Sequence, residues 1–386
     1  MNTKYSNIIG NIDPSIKMLL DKVKRYITAG KASVMVGCGF SMNAENDGTG
    51  QMREWNALNQ DLYRSLYGKE PEEGLLNTLS PIRLASQVES SHGVHELDEI
   101  IMNALPDKSV YPGTIHKKLM RLHWCDVFTT NYDTLLERSC DESGAAYTLV
   151  TNKETLLYSK SPRIIKLHGS FPDSRPFIMS EEQFRTYPQK YPEFVNTVRQ
   201  SLIENLFCLI GFSGNDPNFL SWLGWIRDVM GKQMTNAILV DYKPKGVHIS
   251  ERQLFEARKI DILNLADIEE LRDLNSYKDA LDFFLTYLGL KEKTRDWNYP
   301  DVHYPQIPGD KSLPDYEGDI KKMSNARTTY PGWLYLPEKH VDACGIYAFP
   351  FMRKYYEDMP SNKKLEYLFE LDWLLDVSLY PKHVDW

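Results

Sequence analysis

Ala32-Ser33-Val34-Met35-Val36-Gly37-Cys38-Gly39-Phe40-Ser41 is the stretch that decides the fold. Its first five residues form a continuous apolar run of strand length, and a glycine turn ending in a hydroxyl follows. Glycine lets a backbone approach a pyrophosphate closely, and the N–H groups after it can bind anionic oxygens. Strand, glycine turn and helix start is the order found where an α/β sheet meets a nucleotide. The same pattern also makes an ordinary tight turn. Upstream, Asp13 caps a helix opened by Pro14. Ile16, Leu19, Leu20, Val23, Tyr26 and Ile27 fall on one face of it, and Gly30 ends it.

Downstream the same kind of run recurs at residues 126–129, 163–167, 206–210 and 237–240, with a further one at 260–264. These runs are continuous rather than alternating, as in parallel strands covered on both faces. Helical patterns at about 190–205, 217–230 and 276–289 separate or follow them. The expected fold is therefore α/β, a Rossmann-like doubly wound parallel sheet filling residues 1–290. Residues 42–120 read as a mostly helical lobe inserted over the carboxyl ends of the strands. From 291 the chain is rich in Pro, Tyr and charge, which suits a linker or arm. Residues 330–386 read as an aromatic, mainly helical extension, with KKLEYLFELDWLLDVSLY its strongest helical pattern. The chain closes soon after it, which fits a small C-terminal domain or a longer protein cut short.

Composition narrows the function classes. The chain has 386 residues, 42% hydrophobic and 25% charged, so it is neither disordered nor fibrous. A net charge of −8 argues against nonspecific nucleic-acid binding, which needs a positive surface to displace counterions. The five cysteines form no CxxC pair, so no zinc knuckle or dithiol site is expected, and a reducing compartment fits. The N-terminus lacks the apolar core of a signal peptide, and no run approaches the roughly 18 residues of a membrane span. A soluble, cytoplasmic protein is the expectation.

Three more polar turns follow strands. Thr129-Thr130-Asn131-Tyr132-Asp133 either caps the next helix or sends an amide and a carboxylate into a cleft. In Lys166-Leu167-His168-Gly169-Ser170 a glycine after His168 suits a sharp turn, so the imidazole is either a structural group or an acid–base. Gly211-Phe212-Ser213-Gly214-Asn215-Asp216-Pro217 joins strand to helix, with Asp216 as cap. Four such turns at four strand ends would line one crevice. His92 and His95, near Glu89 and Glu96, are read as helix-surface residues rather than metal ligands.

With these residues in order, the chain resembles the SIR2-like, sirtuin-related NAD-binding family across roughly residues 15–290. Gly37-Cys38-Gly39-Phe40-Ser41 resembles its Gly-Ala-Gly-x-Ser motif, with Cys38 replacing alanine. Thr130-Asn131-Tyr132-Asp133 is similar to its Gln-Asn-Ile-Asp segment. Lys166 to Ser170 resembles the segment holding its active-site histidine, and Gly211-Phe212-Ser213 its later glycine–serine turn. Two departures stand out: the paired CxxC zinc ligands of protein deacylases are missing, and so is the Pro, Asp, Phe and Arg run after the first motif. They point to the bacterial branch that resembles NAD-hydrolysing effectors of antiphage defence.

The resemblance implies cleavage of the nicotinamide–ribose bond of NAD, with NAD as substrate and no zinc. It maps Asn131 to the ribose and the attacking water, His168 to a ribose hydroxyl as general base, and Asp133 to nicotinamide or ribose. Gly37, Gly39 and Ser41 would hold the pyrophosphate, with Phe40 and Thr130 as further cofactor-binding candidates. Gly211 and Ser213 would line the adenosine side, and Asp241 would meet the adenine ribose or sit in an exposed turn. Arg53, Trp55, His92 and His95 are further candidates from the lobe. The resemblance also implies a latent enzyme that is a homo-oligomer, gated by a partner such as a HerA-type ATPase or by a phage-derived trigger. The alternatives are a noncatalytic module that binds NAD or ADP-ribose, and a residual deacylase or ADP-ribosyl transferase.

Overall fold

The computed structural model describes residues 4–46, 55–72, 74–172, 174–214 and 216–290, with 360–362 and 364–365. Met1–Leu290 makes one compact unit and Lys291–Trp386 a second. Most of the second unit lies outside the described residues, including all but Lys364 and Leu365 of the helix expected from KKLEYLFELDWLLDVSLY.

Seven strands form one sheet: β1 (Ala32–Val36), β2 (Asp126–Thr129), β3 (Thr148–Val150), β4 (Arg163–Lys166), β5 (Leu206–Ile210), β6 (Ala237–Asp241) and β7 (Ile260–Asn264). Every neighbouring pair is parallel, in the order β3-β4-β2-β1-β5-β6-β7. The Rossmann-like expectation holds. The chain starts at the centre, works out to one edge, then restarts beside β1 with β5. That reversal between β1 and β5 is the switch point where an open α/β sheet leaves a crevice.

Burial explains why these runs are strands. All five residues of β1 are buried. Val34 and Val36 face one apolar layer, which includes helices Pro14–Thr28, Thr114–Met120 and Tyr277–Gly289. Met35 faces the other, with helices Pro192–Glu204 and Pro217–Met230. The helix starts follow their caps: Asp13 accepts from Ser15 N at 2.8 Å, and Asp216 from Phe219 N at 2.9 Å.

Between β1 and β2 the chain builds a separate apolar cluster from helices Trp55–Tyr67, Pro81–His92 and Val94–Ala104. Leu62, Leu84, Val88, Leu97 and Ile101 fill it. Tyr132, Phe177 and Met179 join the same cluster from the loops after β2 and β4. The lobe is therefore anchored to the carboxyl ends of the strands by a shared core. Helix Thr114–Met120, the last part of the stretch read as lobe, packs instead with the sheet's first layer.

Candidate active site

β4, β2, β1 and β5 are neighbours, so the four turns read from the sequence emerge side by side from the centre of the sheet. Register sets the depth of each. Thr129 pairs with Lys166 across β2 and β4, and Leu167 N donates to Thr129 O at 2.9 Å. Asn131 and His168 each lie two residues beyond that pair, in the turns that follow two adjacent strands.

The two glycine turns pack against each other. Gly37 N donates to Ile210 O at 3.1 Å, Gly39 N to Gly211 O at 3.0 Å, and Phe40 N to Gly37 O at 2.9 Å. Those three donors are engaged within the protein. A Cβ on Gly37 would sit 2.4 Å from Gly211 O, and one on Gly211 2.2 Å from Phe40 N. The glycines are thus required for backbone to meet backbone across the switch point.

Within this frame a buried hydrogen-bond chain links two turns. Asn131 Nδ2 donates to Ser41 Oγ at 2.8 Å, and Ser41 Oγ donates to Asp133 Oδ2 at 2.8 Å. The other Asp133 oxygen accepts from Leu135 N at 3.2 Å, at the start of helix Leu135–Ser143. Asp133 therefore takes the first N–H of that helix and the Ser41 hydroxyl at once. Thr129 Oγ1 donates to Val36 O at 2.9 Å and accepts from Asn131 N at 3.0 Å, which fixes the Asn131 backbone to the end of β1. Asn131 and Thr130 remain partly exposed, whereas Ser41 and Asp133 are buried.

His168 is only 3% exposed. Its ring meets Phe184 edge-on at 5.3 Å and Tyr187 at 5.7 Å. Burial lowers its pKa, against a smaller opposing pull from Asp216, so the imidazole is neutral at ordinary pH. Its Nε2 is buried and has no hydrogen-bond partner among the described residues. A neutral imidazole nitrogen with nothing to bond is costly unless something else meets it. Gly169, at φ +99°, makes the turn behind it.

The remaining candidates divide. Gly211 packs against the turn after β1, Ser213 is exposed, and Asp241 ends β6 beside Lys243 at 3.4 Å, its Oδ1 accepting from Tyr242 N. Phe40 turns its ring inward, fully buried. His92 and His95 are exposed on the lobe, with His95 3.9 Å from Glu99. Arg53 lies outside the described residues, and for Trp55 only the backbone is described. Among the described residues, no group of three or more His, Cys, Asp or Glu could hold a metal ion.

Several groups that hold the site were not singled out from the sequence. Lys166 is buried, donates to Asp133 O and pairs with Glu137 at 3.0 Å. Asp107 takes Thr134 N and Thr134 Oγ1, both at 2.7 Å, tying the lobe's end to the loop after β2. His116 packs edge-on against Phe40 at 4.9 Å, and neither of its ring nitrogens has a partner among the described residues. Burial, with Lys278 and Arg138 acting the same way, pushes His116 down to about 3.

That depression has a sign. Below the ordinary value near 6.5 the unfolded chain takes up a proton that folded His116 refuses, so stability falls as pH falls. The expected size at pH 5 is on the order of 2 kcal/mol relative to pH 7. A His116→Leu variant should lose that part of the acid sensitivity, as read by urea unfolding at pH 7 and pH 5. Equal acid loss in variant and parent would refute it.

Fold and site together define a Rossmann-like α/β protein whose polar turns cluster at its topological switch point. Residues 126–263 match the model of the SIR2-like domain family. The chain is 23% identical over 312 residues to Defense-associated sirtuin 2 of Bacillus subtilis, covering 79% of this chain and 30% of that protein. It is 28% identical over 216 residues to NAD(+) hydrolase ThsA of Acinetobacter baumannii, covering 55% of this chain and 42% of the relative. The corresponding protein of Enterococcus faecium is 27% identical over 221 residues, with coverage of 55% and 44%. The chain thus spans less than half the length of these curated relatives. No helix among the described residues is long and apolar enough to cross a membrane.

Proposed function

We propose that this chain hydrolyses NAD, cleaving the nicotinamide–ribose bond to give nicotinamide and ADP-ribose, as an effector of antiphage defence. What supports this reading is the pairing of Thr129 with Lys166, from which the turns carrying Asn131 and His168 leave neighbouring strands, together with a buried His168 Nε2 that has no partner among the described residues. The names of the relatives, NAD(+) hydrolase and defence-associated sirtuin, point the same way.

In this reading the C1′–N bond breaks as nicotinamide leaves neutral, and the ribose gains oxocarbenium character. Water then attacks C1′ and releases a proton. The Asn131 carbonyl orients the water and faces the developing positive charge. His168, held neutral by burial, accepts a proton from a ribose hydroxyl, and that hydroxyl regains one from the attacking water, so the water's proton ends on the imidazole. The Gly37–Ser41 and Gly211–Ser213 turns form the walls against pyrophosphate and adenosine, and Asp241 is the candidate for the adenine ribose. The glycine N–H groups donate within the protein, so these glycines act by allowing close approach.

Purified protein and NAD test the proposal, with nicotinamide and ADP-ribose separated by chromatography. Asn131→Ala and His168→Ala should each lose at least about a hundredfold in turnover. Full turnover in both variants would overturn the site. The deep burial of His168 favours a second reading, a module that binds NAD without turnover. Binding by calorimetry with no nicotinamide released would select it.

Latency belongs to the same proposal, because a constantly active NAD hydrolase would poison its host. We place the trigger in self-association or in a partner such as a HerA-type ATPase or a phage component. Turnover followed against protein concentration, alongside light scattering, tests the first. Constant specific activity in a dilute monomer would exclude it.

A further inference from the structure

We propose that Asp133, acting through Ser41, is a positioning residue that fixes which end of the Asn131 amide meets the substrate. The proposal rests on the hydrolase reading and deepens it.

The argument turns on one proton. The Asp133 carboxylate can only accept, and its Oδ1 already takes Leu135 N–H at 3.2 Å. Its Oδ2 therefore takes the single Ser41 hydroxyl proton, at 2.8 Å. Ser41 Oγ, with its proton spent, can only accept from Asn131, which must present Nδ2, at 2.8 Å. The chain runs one way, from amide to hydroxyl to carboxylate. Ser41 and Asp133 are 3% and 4% exposed, so water does not compete for these bonds. The Asn131 backbone is pinned independently through Thr129, so the side chain has only its amide orientation left to choose. The result leaves Asn131 Oδ1 for the crevice. A carbonyl oxygen there can hold a water by its proton and face positive charge, whereas an NH₂ would repel that charge. The carboxylate thereby works at a distance, without touching the ribose.

Reversing the polarity of the chain tests this. In Asp133→Asn the new amide oxygen keeps Leu135 N–H and its NH₂ points at Ser41. The Ser41 proton then turns to residue 131, whose amide flips to put NH₂ outward. Turnover should fall at least about a hundredfold with KM for NAD within about twofold. Asn131→Asp alone sets two carboxylates against one hydroxyl proton and should be as poor. The double variant Asp133→Asn/Asn131→Asp runs the chain backwards, with an acceptor oxygen again outward. It should regain at least about tenfold over either single variant, a recovery that a merely structural role for Asp133 would not give.

A readout without turnover keeps this separate from the hydrolase reading. In ¹⁵N-labelled protein the Asn131 side-chain amide should exchange slowly with solvent, and Ser41→Ala should speed that exchange at least about tenfold. Absence of NAD cleavage in the parent would sink the hydrolase reading, while the exchange measurement would still decide the hydrogen-bond chain. Unchanged exchange in Ser41→Ala, full turnover in Asp133→Asn, or no recovery in the double variant would each overturn the proposal.

Discussion

Lys166→Met should lower the unfolding free energy by about 3–5 kcal/mol, the usual cost of removing one partner of a buried ion pair. The Lys166 side chain is 1% exposed and lies 3.0 Å from Glu137, itself 14% exposed. Methionine keeps the length and apolar stem but leaves the Glu137 carboxylate without its counter-charge. Lys166 also donates to Asp133 O, so the loop carrying Asn131 loses an anchor. The loss should be repairable. Adding Glu137→Leu removes the stranded charge, and buried pairs replaced together by apolar residues often regain most of the stability. Urea unfolding of the parent, the single and the double variant gives all three values. A loss below about 1 kcal/mol in Lys166→Met would show that the pair does not brace the site.

Gly211→Ala should be almost as damaging, at about 2–5 kcal/mol, for a different reason. Gly211 has φ +59°, where a Cβ costs of order 1–2 kcal/mol. That Cβ would also sit 2.2 Å from Phe40 N and 2.8 Å from Phe40 Cα. These are backbone atoms, so relief requires the turn after β1 to move away from the turn after β5, as in an overpacked core. Stability and site geometry should fail together: the expected readout is a lower unfolding midpoint and, on the proposed function, weaker NAD binding in the same variant. An alanine that leaves both unchanged would mean the two turns are not in contact.

Much of this could be read beforehand, and the reasons are physical. β1, β2, β4, β5, β6 and β7 announce themselves because strands covered on both faces need continuous apolar runs. β3 escaped notice because it is three residues long and two of them, Thr148 and Leu149, are exposed at the sheet edge. The two-residue ladder of Glu45–Asn46 with Val110–Tyr111 is likewise too short to leave a periodic trace. At the site, motif resemblance supplied Ser41, Asn131, Asp133 and His168 as residue types in order. It did not say that Ser41 points inward to Asn131 and Asp133, because that contact joins residues 90 and 92 apart. Nor did it say that the ring of Phe40, a cofactor candidate, is fully buried against His116. Lys166 stood within a quoted motif, yet nothing local distinguishes a lysine that closes a strand inside the core from one at the surface. Its partner Glu137 lies on a helix 29 positions earlier.

The neighbour relations of β1 bear on how the chain is made. β1 lies between β2 and β5, and the turn at Gly37 closes only against Gly211. A ribosome has therefore already delivered residues 131 and 168 some 40 residues before the second flank of β1 exists. Until then β1 has one open side, and the pocket is missing a wall. On the proposed function, an incomplete product that stops short of residue 210 lacks that wall and should be inert.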